Sequence, residues 1–212
     1  IVIKKIADRI GITDALGKTK YAGLTLLLIM GRILTQGSRL KLCEWGETQE
    51  IKNITGVRSY NEDRLYETLD WLSANQEKIE QRLFNHRYKK EVKKPALYLY
   101  DITSSYLEGD CNDLGEYGYN RDGKRGKKQI VVGLMTDKKG VPVSIEVFKG
   151  STSDSTTVIG QIEKMANRFG VEKLVFVGDR GMVKSTQINT FSKHINYITA
   201  ITKEQIKTLV KT

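Results

Sequence analysis

The sequence predicts an α/β fold, a mixed sheet flanked by helices, preceded by a small all-helical domain. Three observations carry this expectation. Up to about Tyr88 the apolar residues recur three and four apart, as in Leu65, Leu69 and Leu72 or Ile79 and Leu83. From Leu97 onward they gather instead into short β-prone runs. Between the two regimes stands the basic run Arg87-Tyr88-Lys89-Lys90-Glu91-Val92-Lys93-Lys94, closed by the helix-breaking Pro95. The expected divisions are a helical domain with its basic linker over 1–95 and a sheet domain over 96–212.

In the first part, start and stop signals divide the pattern into several helices: Thr13 ahead of Asp14-Ala15-Leu16, Gly37-Ser38 after Ile33-Leu34, and Asn61 ahead of Glu62-Asp63-Arg64. The most apolar stretch, Gly23 to Leu34, is too short to span a bilayer and carries Arg32, so it reads as a core helix.

In the second part, the apolar run from Leu97 reads as a buried strand that delivers Asp101 at its carboxyl end. Gln129–Thr136 and Val141–Phe148 read as a hairpin around Asp137-Lys138-Lys139-Gly140, supplying the edge strands. Ser153–Phe169 reads as a helix, with Val158, Ile162, Met165 and Phe169 on one face and Gly170 beyond its end. Val171–Asp179 is then a strand, Ser185–His194 a helix and Ile195–Ile201 a strand. Three strands in meander followed by alternating helix and strand imply a mixed sheet, in which the first strand and the Asp179 strand can lie side by side.

Composition narrows the function classes. With 39% hydrophobic and 28% charged residues the chain is an ordinary globular protein rather than a disordered one. A net charge of +10 points to a polyanionic partner, and the spread of the basic residues argues against a membrane-surface helix. Cys43 and Cys111 form no Cys-x-x-Cys, so two reduced thiols in a cytoplasmic protein are expected rather than zinc. The chain opens on Ile-Val-Ile-Lys-Lys, without an initiating Met, so it is expected to begin inside a longer reading frame.

Two runs share one form. Leu97-Tyr98-Leu99-Tyr100 leads to Asp101, and Leu174-Val175-Phe176-Val177-Gly178 leads to Asp179. Ligands gather at the carboxyl ends of strands in α/β sheets, so Asp101 and Asp179 are expected to share a divalent metal site. The plain alternatives are a cap or turn role for Asp101 with Ser104 or Ser105, and a turn role for Asp179 between glycines. Asp154 is either a first-turn acid near that site or a capping residue. His86 and His194 have no partner at ligand spacing and read as structural.

The loop Gly118-Tyr119-Asn120-Arg121-Asp122-Gly123-Lys124-Arg125 nearly repeats a phosphate-cradling motif, but Arg125 replaces the required Ser or Thr and a strand follows where a helix is needed. What remains is a cationic loop of Arg121, Lys124, Arg125, Lys127 and Lys128 beside Tyr117 and Tyr119. It suits a nucleic-acid backbone, or else it is a solvated turn. A haloacid-dehalogenase-type phosphatase would also use a strand ending in Asp, but it needs a second Asp where this chain has Thr103.

Four ordered stretches carry a resemblance: Tyr100-Asp101-Ile102-Thr103-Ser104-Ser105-Tyr106-Leu107-Glu108-Gly109, Tyr117 to Gln129, Gly150-Ser151-Thr152-Ser153-Asp154, and Val177-Gly178-Asp179-Arg180-Gly181-Met182. Together they resemble the successive motifs of bacterial insertion-sequence transposases of the DDE class. The resemblance implies a ribonuclease H-like core, with Asp101 as the first catalytic carboxylate and Asp179 as the second. It further implies Mg²⁺ or Mn²⁺ as cofactor, double-stranded DNA at transposon ends and target as partner, and a homodimer. The reaction implied is metal-dependent cleavage and strand transfer. The third acid of that class lies on a helix after the last core strand. Glu204 sits too near that strand to match it, so the chain is expected to be a fragment, truncated before the third acid, that either cuts DNA in its complete form or only binds it.

Overall fold

The computed structural model describes residues 1–91, 94–109, 111–119, 126–179, 182, 195–200 and 206. The chain divides into two compact units, Ile1–Glu91 and Val92–Thr212.

The first unit is helical: α1 (Val2–Arg9), α2 (Ile12–Leu16), α3 (Ala22–Leu34), α4 (Arg39–Glu47), α5 (Ile51–Thr55) and α6 (Glu62–Arg87). The start of α6 is set by Asn61, whose side chain accepts from the Arg64 amide at 3.1 Å, with Glu62 and Asp63 in the positive first turn. Ser38 caps α4 in the same way, accepting from the Lys41 amide at 3.2 Å. Thr13 does not start its helix. It lies inside α2, whose N-cap is Gly11 at φ +86°, and its hydroxyl donates instead to Asp8 at 2.5 Å. The His86 ring packs where a Cβ on Gly11 would come within 2.5 Å, so glycine serves both the left-handed turn and the close approach.

Helix α3 is buried on two sides, which is why its sequence is almost wholly apolar. Leu24 and Leu27 pack with Leu42, Ile51 and Leu65, while Leu26 and Met30 pack with Ala7 and Leu16. Among the described residues, no helix is long and apolar enough to cross a membrane.

The second unit holds β1 (Leu97–Tyr106), β2 (Gln129–Asp137), β3 (Pro142–Lys149), α7 (Asp154–Asn167), β4 (Leu174–Gly178) and β5 (Ile195–Ile198). They form one sheet of order β3-β2-β1-β4-β5. The β1–β2 and β2–β3 pairs are antiparallel, and β1–β4 and β4–β5 are parallel. An antiparallel meander continued by parallel strands is the ribonuclease H-like arrangement that the resemblance implied. The β2–β3 turn closes on Gly140 at φ +75°, with the Asp137 carboxylate accepting from the Lys139 and Val141 amides at 2.8 and 3.0 Å.

Two expectations about the sheet are corrected. Only one hairpin strand, β3, is an edge, because β2 pairs on both sides; among the described residues the other edge is β5. Nor does β4 begin at Val171. That residue lies in the turn that closes α7, its amide bonded to the Met165 carbonyl after Gly170 turns the chain at φ +60°. The expected helix Ser185–His194 and Glu204 lie outside the described residues.

One face of the sheet packs on α7. Tyr98, Tyr100 and Ile102 of β1, Val131 and Met135 of β2 and Phe176 of β4 are buried there with Val158, Ile162 and Met165 of the helix. The opposite face, reached by the alternate residues, carries the exposed Leu99, Leu134 and Ile145.

Candidate metal centre and nucleic-acid interface

The parallel β1–β4 ladder ends on the pair Tyr100 and Gly178. One residue further along each chain stand Asp101 and Asp179, both exposed. Neighbouring strands lie about 4.8 Å apart, and side-chain alternation turns Asp101 away from the α7 face. Both aspartates line one open groove of about 690 Å³ on that far face, floored by Leu99, Leu134, Ile145 and Val177.

Asp101 is not at the end of its strand, as the sequence suggested. It is the fifth residue of a ten-residue β1, which runs on to Tyr106 because β2 keeps pairing with it through Ser105–Ile130 and Tyr106–Gln129. The strand end lies on the β4 side alone, where the partner stops at Gly178. The cap or turn role through Ser104 or Ser105 falls with it: Asp101 Oδ1 accepts from the Ile102 amide at 2.8 Å, and both serines are ladder residues.

Asp179 is held through its backbone. Its carbonyl accepts from the Met182 amide at 3.2 Å and from the Thr199 hydroxyl at 3.1 Å, tying the end of β4 to the segment after β5. Met182 folds back into the core beneath Gly178, where an added Cβ would lie 2.9 Å from the Phe176 ring and 3.3 Å from the Met182 sulfur. Glycine before the aspartate is therefore a packing requirement.

The donor set suits a hard divalent cation, since carboxylate oxygens are what Mg²⁺ takes, through one or two acids with water in the remaining positions. Among the described residues, no three His, Cys, Asp or Glu gather as a metal cluster. Asp154 begins α7, and its charge, with those of Glu146 and Asp101, reaches the buried Tyr100 hydroxyl. Burial is the larger cause and pushes that phenol up to about 12.

Of the cationic loop, Arg121, Lys124 and Arg125 lie outside the described residues. Lys127 pairs with Glu108 at 2.6 Å, and the Lys128 carbonyl accepts from the Leu107 amide at 2.9 Å. The loop leaves β1 five residues past Asp101, about 17 Å along the strand. Its richness in glycine implies little of its own to hold it, yet its described flank is tied down. Glu116 and Gln129 exchange both backbone bonds, and the Gly150 amide reaches the Leu114 carbonyl. The buried Gln129 side chain donates to the carbonyls of Gly150 and Tyr119 at 3.0 and 3.2 Å. Glu116 accepts from the Ser151 hydroxyl and from Lys149, which hold its carboxyl below the usual range, the hydroxyl more than the ammonium. The signal for this anchoring was the pair of glycines: a Cβ on Gly118 would meet the Gly150 carbonyl oxygen at 1.8 Å, a backbone approach that only glycines allow.

Comparison with known proteins adds a family. Residues 93–211 match the family described as "Transposase DDE domain". Similar solved structures include a Mos1 transposase paired-end complex with left transposon end, at 9% identity and TM-score 0.33, covering 89% of this chain and 69% of that one. A Mos1 mariner paired end complex with Mg follows at 12% identity and TM-score 0.30, covering 91% and 71%. A piggyBac transposase synaptic complex with hairpin DNA stands at 12% identity and TM-score 0.46, covering 91% of this chain and 44% of that one. The chain thus spans less than half the length of the piggyBac chain. No curated protein sequence matches it.

Proposed function

The chain belongs to the transposase DDE domain family, and from that membership we propose that it carries part of the active site of a DNA transposase, cutting phosphodiesters at transposon ends and joining them to target DNA. One observation supports this most: the Tyr100–Gly178 register brings Asp101 and Asp179, distant in sequence, to one level of one groove. In this reading the two carboxylates hold Mg²⁺ or Mn²⁺. Such ions, when bound, polarise a phosphodiester and make water or a 3′-hydroxyl a competent nucleophile at neutral pH. The chain itself supplies position. Asp101 is fixed by ladder pairing on the β2 side, and Asp179 by the bonds of its carbonyl to the Met182 amide and the Thr199 hydroxyl. Thr103, on the same face two residues on, carries no acid, so the groove lacks the second aspartate of a haloacid-dehalogenase-type phosphatase. Arg121, Lys124, Arg125, Lys127 and Lys128 would meet the DNA backbone.

The test is Mn²⁺ binding, followed by electron paramagnetic resonance, together with nicking of supercoiled plasmid by the 212-residue chain. Asp101→Ala and Asp179→Ala are each expected to lose the bound ion and the metal-dependent nicking while DNA affinity holds. Retention of both in both variants sinks the assignment. A chain that binds DNA and the ion but never nicks is a binding fragment.

A further inference from the structure

A second cavity, in the helical unit, lies at the N-terminus of α3 and has no part in the carboxylate groove. Its volume is about 300 Å³, and its lining includes Lys20, Arg58 and Arg64 with the hydroxyl residues Thr19 and Ser59, and no carboxylate. The three cations come from three separate segments: the approach to α3, the α5–α6 connection and the first turn of α6. None of them forms an ion pair with an acid among the described residues. Like charges gathered without a counter-charge repel one another unless an anion sits among them.

The cavity is also built. Gly56, at φ +77°, turns the chain after α5 so that the next residues come back over α3. There the backbone of α3 comes so near that a Cβ on Gly23 would lie 2.6 Å from both the Thr55 carbonyl oxygen and a Val57 methyl. Arg64 is held by a bond from its guanidinium to the Ser59 carbonyl at 2.7 Å, which leaves its other N–H groups to donate elsewhere. Lys20 stands over the Tyr21 ring, 4.8 Å from its centre. Tyr21 gives α3 no side-chain cap and the Ala22 amide donates to the Thr19 carbonyl at 3.2 Å, so the positive end of a 13-residue helix is added by the next amides of its first turn. Every charged group in the lining is a cation, and no aromatic ring lines it for a base to stack on. That is the chemistry of a phosphate contact rather than of base readout.

We propose that this pocket holds a backbone phosphate of duplex DNA, giving the helical unit its own sequence-independent contact. The choice of DNA over other phosphodiesters rests on the transposase reading; the phosphate chemistry does not.

The experiment is fluorescence anisotropy of the 212-residue chain with mixed-sequence duplexes across a salt series. Each phosphate that the protein no longer neutralises lowers the slope of log affinity against log salt by about 0.9, which at 0.1 M salt is roughly an eightfold weakening. Arg58→Ala should show part of that weakening on every duplex and Arg58→Lys should restore most of the affinity. Lys20→Ala combined with Arg58→Ala should weaken binding further, with the slope loss approaching about 0.9 because a single phosphate is involved. Thermal melts confirm that the variants are folded. Arg64 is left intact because it also ties down the Ser59 carbonyl. An unchanged affinity and slope in the folded double variant overturns the proposal, as does a wild-type chain that does not bind DNA. Inorganic phosphate replacing chloride at equal ionic strength is a further arm: if it stabilises wild type but not Arg58→Ala while DNA binding is unaltered, the pocket takes a free anion and the proposal falls. Asp101→Asn, expected to stop nicking while keeping the slope, separates failure here from failure of the cleavage reading.

Discussion

Tyr100 and Gly178 face each other across the parallel β1–β4 ladder, so the aspartates that follow them leave the ladder at the same level. The pairing is locked from the core side, where the buried Tyr100 and Phe176 rings meet at 5.7 Å between centroids. The site is therefore only as well placed as that packing.

Gly178→Ala tests this coupling. The new methyl would press on the Phe176 ring and the Met182 sulfur, and overpacking of this kind costs about 1–3 kcal/mol. Urea unfolding should show that loss. Mn²⁺ binding should weaken further than a stability change alone explains, because Asp179 directly follows the displaced residue and is bonded to Met182. If stability and ion binding both match wild type, the glycine is not what positions the aspartate.

Tyr100 gives a prediction in pH. Its folded-state value of about 12 lies above the ordinary phenol value of 10. The neutral phenol is thus favoured by folding, and its contribution is fully present below pH 10. As pH rises from 10 towards 12 the unfolded chain loses this proton while the folded chain keeps it, so stability falls. The difference between wild type and Tyr100→Phe should shrink or grow by up to about 3 kcal/mol across that window, with wild type losing the more. Parallel stability curves from pH 9 to 12 would show that the phenol titrates alike in both states.

Much of the fold was legible because the sequence signals were local. The Leu65, Leu69 and Leu72 spacing marks α6, Asn61 caps it, and Asp137 to Gly140 makes the hairpin turn. The neighbouring of β1 and β4 could be anticipated from the strand order. What escaped the sequence depends on pairing partners. Asp101 looked terminal because the apolar run stops there, yet β2 carries the strand five residues further through Thr103, Ser104 and Ser105. Thr13 looked like a cap, but the left-handed Gly11 under His86 had taken that place. The Lys20, Arg58 and Arg64 pocket was invisible, because residues 20 and 64 meet only through the packing of α3 against the α5–α6 connection.

The last prediction concerns Lys127, whose ammonium is paired with Glu108 at 2.6 Å on an exposed edge. An exposed pair of this kind contributes about 0–1 kcal/mol and is screened by salt, so it competes only weakly with a DNA phosphate. If Lys127 meets the DNA backbone, binding must first break its bond to Glu108, and that carboxylate then repels the incoming phosphates. Glu108→Gln removes both obstacles while keeping the side-chain shape, and it should tighten DNA binding by a few-fold at low salt, with the gain fading as salt rises. Lys127→Ala should do the reverse and cancel the benefit of Glu108→Gln when the two are combined. Changing Arg121, Lys124, Arg125 and Lys127 together to Ala should lower the salt slope by about 0.9 for every phosphate left without its cation, on all sequences alike. The anisotropy titrations decide it. Equal affinities in wild type and Glu108→Gln, together with an unchanged slope in the fourfold variant, would mean that the loop is a solvated turn and that the DNA runs elsewhere on the protein.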